Sequence, residues 1–416
     1  MRCGWPRMRP SGPDRLSFQS MRSTLEQGMD LAAVGEFPLS EFEERVGRLR
    51  TIMRAREADV MLVDDIEPLA YFTGYERSVS FYRAAFIPLL GEPFMVLRSL
   101  DITPFRECAW FGDAVGYRDT EDAVAFVAAE LKRRGYGAAR VGVDFGSHAL
   151  SVASFRKLEQ LLPDARFVDM TAVPWEARLI KSELELAHIR RAAYIADTAM
   201  SEICGLAREG VSSRDMSAHA AGRYVQLGSS PGYVGPITYG KGWGFLHGFL
   251  SDTPMVSGDI LHVELVPKFR GYSARLMRSV VIGGATDEQK VAAREIVRLQ
   301  DEQFAAMRPG ALASDVDAIL RDGLLRAGLR DSYDNITGYT IGFYSQQPIR
   351  SSDFTRVFSP ASKWKLESGM TFHMYTSAQG LAFSESVVVT PDGARRFSTL
   401  ERRLFESGPA ARHAAG

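Results

Sequence analysis

His247 is the residue of this chain best suited to moving a proton. It ends the run Gly242–His247 (GWGFLH), a glycine-rich loop with Trp243, Phe245 and Phe249 around it, and imidazole titrates near neutral pH. A lone histidine in such a loop serves structure as readily as catalysis, so its neighbours matter. His262 and Glu264 stand two apart in the apolar run Asp259–Pro267 and therefore share one face of a strand. A carboxylate in an apolar strand needs a partner once buried. Glu385 raises the same question in Leu381–Thr390, a run otherwise apolar or small. His373 and Tyr375 alternate onto one face of Met370–Tyr375, and Tyr339 lies in Gly338–Gly342 (GYTIG). Two further places carry arginine: Arg83, closing the run Ser80-Phe81-Tyr82-Arg83, and Arg350, after Pro348. For such arginines a surface role is the simpler reading.

Composition narrows the classes. The 416 residues hold 50 Lys and Arg against 51 Asp and Glu, a formal net charge of −1. Nucleic acid and membrane surfaces both require a concentrated basic face, so a small molecule or peptide is the expected ligand. The three cysteines, Cys3, Cys108 and Cys204, show no zinc spacing and cannot all pair within one chain. That fits a reducing, cytoplasmic setting with no disulfide framework. No apolar run reaches the ~18 residues of a membrane span. Residues 1–30 are basic but lack the apolar stretch of a signal peptide; they read as a loose tail or an early start.

These residues need elements to hold them. Amphipathic helices are expected over Ser40–Arg56, Glu121–Arg134 and Ser151–Leu162. Strands are expected at Asp59–Val63, Arg140–Asp144 and Arg166–Asp169, with a hairpin from Ala84–Leu90 to Phe94–Arg98. Alternation of this kind implies a small α/β domain over 38–174, after a tail at 1–37. From 175 to 416 the order changes. Long helices at Ser182–Arg208 and Ser213–Leu227 precede strands at Asp259–Pro267 and Gly271–Ile282. Helices at Asp287–Met307 and Ala313–Ala327 then precede strands at Met370–Tyr375 and Phe383–Thr390. Two similar halves of α+β type are the expectation.

Several words in this order resemble the creatinase/prolidase/methionine aminopeptidase family: Arg178–Ser182 (RLIKS), Ser257–Ile260 (SGDI), Gly271–Ser279 (GYSARLMRS), Met307–Leu312 (MRPGAL), Leu366–Thr371 (LESGMT) and Val387–Gly393 (VVVTPDG). The likeness spans roughly residues 38–400. It implies an α/β N-terminal domain of creatinase type followed by a pita-bread catalytic domain of α+β class.

The peptidases of this family bind two metal ions through two Asp, one His and two Glu. By that resemblance the five positions fall on Glu264, Arg275, Tyr339, Tyr375 and Glu385. A permanent cation at Arg275 repels a metal, so no metal cofactor is expected. Arg275 is expected instead between Glu264 and Glu385, as their counter-ion. His247 falls at the general acid/base histidine of creatinase, the family's metal-free precedent, although Met277 replaces one of creatinase's substrate-binding Glu residues. The segments Gly338–Gly342, Met370–His373 and Ser384–Ser386, with Ser80–Tyr82, resemble the ectoine hydrolase branch.

The resemblance therefore implies a homodimeric hydrolase opening a C–N bond in a small amidine or guanidino metabolite. His247, Glu264 and Glu385 would be catalytic. Arg275, Tyr339, Tyr375, His373 and Arg350 would contact substrate, together with Phe81, Tyr82 and Arg83 from the neighbouring subunit. His262 is expected behind the site or in the core. A metal-dependent Xaa-Pro dipeptidase and a non-catalytic binding relative are the alternatives.

Overall fold

The computed structural model describes residues 37–76, 81–230, 233–343 and 355–407; Ser80 and Arg350 lie outside the described residues. In α1 (Leu39–Ala55), Phe42, Val46, Leu49 and Met53 recur at helical spacing and are buried. Three of them meet Met61 and Val63 of β1 (Val60–Val63) in one core, while Val60 and Leu62 point into a second. This two-sided burial explains why the strand reads as an unbroken apolar run.

β1 is central in a six-stranded sheet with β2 (Ala84–Pro88), β3 (Phe94–Arg98), β4 (Ala114–Tyr117), β5 (Arg140–Val143) and β6 (Arg166–Asp169), in the order β4-β3-β2-β1-β5-β6. β2 and β3 form the expected hairpin, pairing Ala85 with Met95. β5 runs parallel to β1 and β6. The helices α2 (Ile66–Thr73), α3 (Ile102–Cys108), α4 (Ala123–Arg133) and α5 (Val152–Leu161) complete this part. α3 and β4 escape sequence reasoning, being short, with Pro104 inside one and Gly116 inside the other.

After α6 (Val173–Glu176), α7 (Glu183–Leu206) opens with a capping box in which Ser182 and Glu185 satisfy each other's backbone N–H groups. α8 (Ser213–Gln226) and α9 (Asp287–Ala306) open the same way, through Ser212 with Asp215 and Thr286 with Gln289. α10 (Ala313–Arg326) completes the second helix pair.

Between the helix pairs lie β7 (Ile237–Gly240), β8 (Ile260–Leu265), the short hairpin β9 (Lys268–Phe269) and β10 (Tyr272–Ser273), and β11 (Leu276–Val281). After the second pair come β12 (Gly338–Thr340), β13 (Val357–Phe358), β14 (Thr371–Ala378), β15 (Leu381–Thr390), β16 (Gly393–Arg396) and β17 (Phe405–Glu406). One sheet runs β13-β12-β14-β15-β11-β8-β7, with β16 beside β15 and β17 beside β11. The expected halves are visible in that order. β7-β8-β11 mirrors β12-β14-β15, and the two meet antiparallel at Met277 opposite Ser384.

Strand parity assigns the two faces. Leu261, Val263, Leu265, Leu276 and Val280 pack with α7 and α8, and Phe372, Met374, Val387 and Val389 pack in the core that holds Phe304 and Val316 of α9 and α10. The helices thus cover one face, and the intervening residues point to the other.

Candidate active site

The register places the chemistry. Glu264 pairs with Met277 and His262 with Ser279, Met277 with Ser384, and Tyr375 with Ser384 and His373 with Ser386. Tyr339 pairs with His373 across β12 and β14. All of these share the helix-free face. On this face lies a cavity of about 670 Å³ whose walls include His247, His262, Glu264, Arg275, Met277, Tyr339 and Tyr375. That volume suits a metabolite-sized ligand.

Two glycines let the walls close. A Cβ on Gly235 would sit 2.0 Å from the Glu264 carbonyl oxygen, and its φ is +129°. The bare backbone permits the bonds from Glu264 N to Pro236 O and from Val266 N to Val234 O, at 2.8 and 2.9 Å. At the β14–β15 turn, Gly380 has φ +77°, and a Cβ there would meet Gly242 O at 2.4 Å. This contact seats the loop that carries His247. β7 belongs to the same region; it lies inside the Gly- and Pro-rich stretch 228–244, which reads as loop because its four residues are surrounded by turn formers.

Arg275 is fixed from both ends. Its backbone N–H donates to Ser386 Oγ at 2.7 Å, and that hydroxyl donates back to Arg275 O at 3.0 Å. Its guanidinium donates to the Tyr339 hydroxyl, lies 5.3 Å from that ring's centre, and stands 3.8 Å from Glu264. Tyr339, His373 and Tyr375 form an aromatic group with centroids 5.1 to 5.8 Å apart. Burial raises the Tyr375 phenol above its ordinary range, so it stays a hydrogen-bond donor.

The placement of Glu385 corrects the sequence reading. It shares a face with Phe383 and Val387, under the helices, and is fully buried. Arg278 bonds it at 2.7 Å, Arg396 reaches it at 3.3 Å, and Arg402 stands 3.9 Å away. Arg275 therefore does not bridge two carboxylates, and the residue of this strand that lines the cavity is Ala382. Arg278 spends its donors on Glu385, Met277 O, Ser384 O, Leu400 O and Glu401 O. Glu385 thus ties the C-terminal segment to the sheet.

His262 corrects the reading in the opposite sense. It lines the cavity, is buried, and its Nδ1 has no hydrogen-bond partner. Burial, with the nearby His247 adding to it, depresses its pKa to about 3. It is a neutral imidazole available to a ligand. Sequence reasoning also missed Tyr233, Trp243, Arg330 and Asn335 on the walls; only their later convergence identifies them.

The expected neighbour-facing residues divide. Tyr82 donates to Asp64 Oδ2 at 2.9 Å, and Arg83 is buried in its own fold. Phe81 is the exposed member, 36% accessible, with the Arg98 guanidinium 4.5 Å above its ring.

A two-metal site is testable on the donor set. Five anionic or imidazole ligands must converge. Of the five matched positions, Glu264, Arg275, Tyr339 and Tyr375 line the cavity, and among the described residues no group of three or more His, Cys, Asp or Glu could hold a metal ion. One carboxylate, already facing a guanidinium, does not fit that role. No helix among the described residues is long and apolar enough to cross a membrane.

A pseudo-symmetric sheet backed by two helix pairs, with its polar face lining one cavity, defines a pita-bread hydrolase scaffold. The comparisons agree. A Creatinase/Prolidase N-terminal domain model matches residues 45–180 and a Metallopeptidase family M24 model matches 187–391. The chain belongs to the creatinase/prolidase family of hydrolases. It is 25% identical over 393 residues to ectoine hydrolase from Halomonas elongata, covering 89% of this chain and 98% of that protein. It is also 25% identical over 369 residues to Xaa-Pro dipeptidase from Lactobacillus delbrueckii subsp. lactis, covering 86% and 97%. The Xaa-Pro dipeptidase structure from Bacillus anthracis superposes with a TM-score of 0.75 at 19% identity, covering 88% of this chain and all of that one; at that identity it speaks for the fold.

Proposed function

We propose that this chain hydrolyses a C–N bond in a small amidine or guanidino metabolite without a metal ion, acting as a cytoplasmic homodimer. The observation that carries the reading is the guanidinium of Arg275, 3.8 Å from Glu264, at a position where peptidase relatives by resemblance hold a metal ligand. A fixed cation there does part of the electrostatic work of a metal: it neutralises Glu264 and, with the Tyr339 hydroxyl, stabilises charge developing on a substrate oxygen.

His247 on the cavity wall takes a proton from water as the water attacks the amidine or guanidino carbon. It then returns that proton to the departing nitrogen. Glu264, the one carboxylate on the described walls, orients the delocalised cation of the substrate. His262, held neutral, supports a second hydrogen bond at its unpartnered Nδ1.

The test joins two measurements on the chelator-washed protein: metal content, and turnover of ectoine, creatine and Xaa-Pro dipeptides. Turnover of a cationic metabolite at less than about 0.1 metal per chain, lost in His247→Ala, is the expected result. Two metals per chain with Xaa-Pro cleavage would replace this reading with a dipeptidase.

A further inference from the structure

Arg45 of α1 is a buried cation that the proposed chemistry does not use, and one of its bonds crosses to the second sheet's part of the chain. It is 2% accessible and lies 4.1 and 4.2 Å from the centres of the Phe37 and Tyr71 rings. It donates to Glu41 Oε1 at 3.2 Å and to Tyr71 O at 3.0 Å. Its remaining arm reaches the Tyr272 hydroxyl of β10 at 3.4 Å. Tyr272 in turn donates to Glu185 Oε1 at 2.9 Å, and the other oxygen of Glu185 accepts from Ser182 N at the start of α7. Burial, with the Glu185 charge adding to it, raises the Tyr272 phenol well above its ordinary range, so the hydroxyl keeps the proton it donates. A guanidinium on one side and a carboxylate on the other hold that hydroxyl in place.

Tyr272 stands three residues before Arg275. Its backbone pairs with that of Phe343, their ring centres are 5.4 Å apart, and Ser273 N donates to Gly342 O at 3.1 Å. Gly271 permits this approach: a Cβ there would meet the Phe343 ring at 2.3 Å, and its φ is +79°. Phe343 stands four residues after Tyr339. The pairing therefore joins the segment that carries the Arg275 guanidinium to the one that carries the hydroxyl it donates to. The ladder of the sheet does not join them, because β14 and β15 run between β12 and β11. Arg275 and Tyr339 meet by reaching over those strands with long side chains. A contact spanning such a gap is sensitive to the separation of its two bases, which the pairing of Tyr272 with Phe343 sets.

We propose that Arg45 and Tyr272 are positioning residues for the cavity: they hold the Tyr272–Phe343 pairing and, through it, the contact between Arg275 and Tyr339. The domain of the first sheet thus shapes the active site of its own chain without touching the ligand. This rests on Arg275 and Tyr339 acting together, as in the proposed function, but not on the bond cleaved, the metal content or a partner subunit.

The test reads that contact directly. Fluorotyrosine replaces Tyr339 alone in the full chain, and fluorine NMR records its resonance in the parent and in Arg275→Met, which marks the broken contact. Tyr272→Phe keeps the ring and removes the hydroxyl; Arg45→Lys keeps the charge and removes the planar fork. Each should move the resonance at least half of the way from the parent to Arg275→Met. Fluorotyrosine replacing Tyr239, in β7 at the opposite edge of the same sheet, is the control and should not move. A smaller shift, even with a lowered melting temperature, marks a purely structural anchor and overturns the proposal. An equal shift at Tyr239 overturns it too, as does a parent resonance that already matches Arg275→Met. Should one variant fail to fold, the other decides. No substrate is needed, so turnover is measured separately. A parent without turnover removes the proposed function and leaves this inference standing, whereas turnover with an unmoved resonance does the reverse.

Discussion

Two glutamates of one sheet, on strands β8 and β15 either side of β11, have opposite fates. Glu264 and Glu385 both occur in apolar strands, both are nearly inaccessible and both meet arginine. Glu264 faces a cavity and stands 3.8 Å from Arg275. Glu385 faces the helices and has three arginines within 3.9 Å. A carboxylate enclosed beneath the helices with three arginines gathered at one oxygen holds structure together. One that keeps a side open to a cavity is available to a ligand. The identity of the residue does not separate these cases; the parity of its strand does.

The sharpest way to break the comparison is Glu385→Ala. It strands the fully buried Arg278 and should cost about 3–5 kcal/mol; urea unfolding should show it, and a stable, inactive protein would return Glu385 to the catalytic set. Glu264→Gln is the counterpart. It should lower kcat/KM about 100-fold or more while moving the unfolding free energy by about 1 kcal/mol or less, since Arg275 keeps its bond to Tyr339.

His262 sharpens the contrast through pH. Its folded pKa, about 3, lies below the ordinary 6.5, so the unfolded chain binds the extra proton in that window. The stability it contributes is full above pH 6.5 and is lost as pH falls towards 3, at a slope approaching about 1.4 kcal/mol per pH unit. His262→Asn should flatten this slope; an unchanged slope would mean that the imidazole protonates in place. The smallest effect belongs to Arg396→Ala. Its side chain is 33% exposed and its guanidinium 3.3 Å from Glu385, and about 1 kcal/mol is expected.

Much of the fold was legible because periodicity survives burial. α7 and α9 start within a residue of their sequence expectations, since Ser182 with Glu185 and Thr286 with Gln289 are complete capping boxes. β7 and β12, at four and three residues, carry too little pattern to be read. In the site, His262 and Glu264 were legible as face-sharing neighbours. Glu385 was misassigned although its own strand held the answer: Phe383 and Val387, two residues to either side, face the core. Arg330 had no local signal. Its place on the cavity wall depends on Trp243, Tyr333 and Asn335, which only the tertiary fold assembles.

The bonds from Arg278 to the carbonyls of Leu400 and Glu401, with β17 laid beside β11, set a schedule for biosynthesis. The first sheet takes its last strand by Asp169 and can close while the rest of the chain is still being made. The second cannot satisfy its most deeply buried cation until residues near 400 have left the ribosome. Until then Arg278 is an open charge inside a half-formed sheet, so the second sheet closes later than the first.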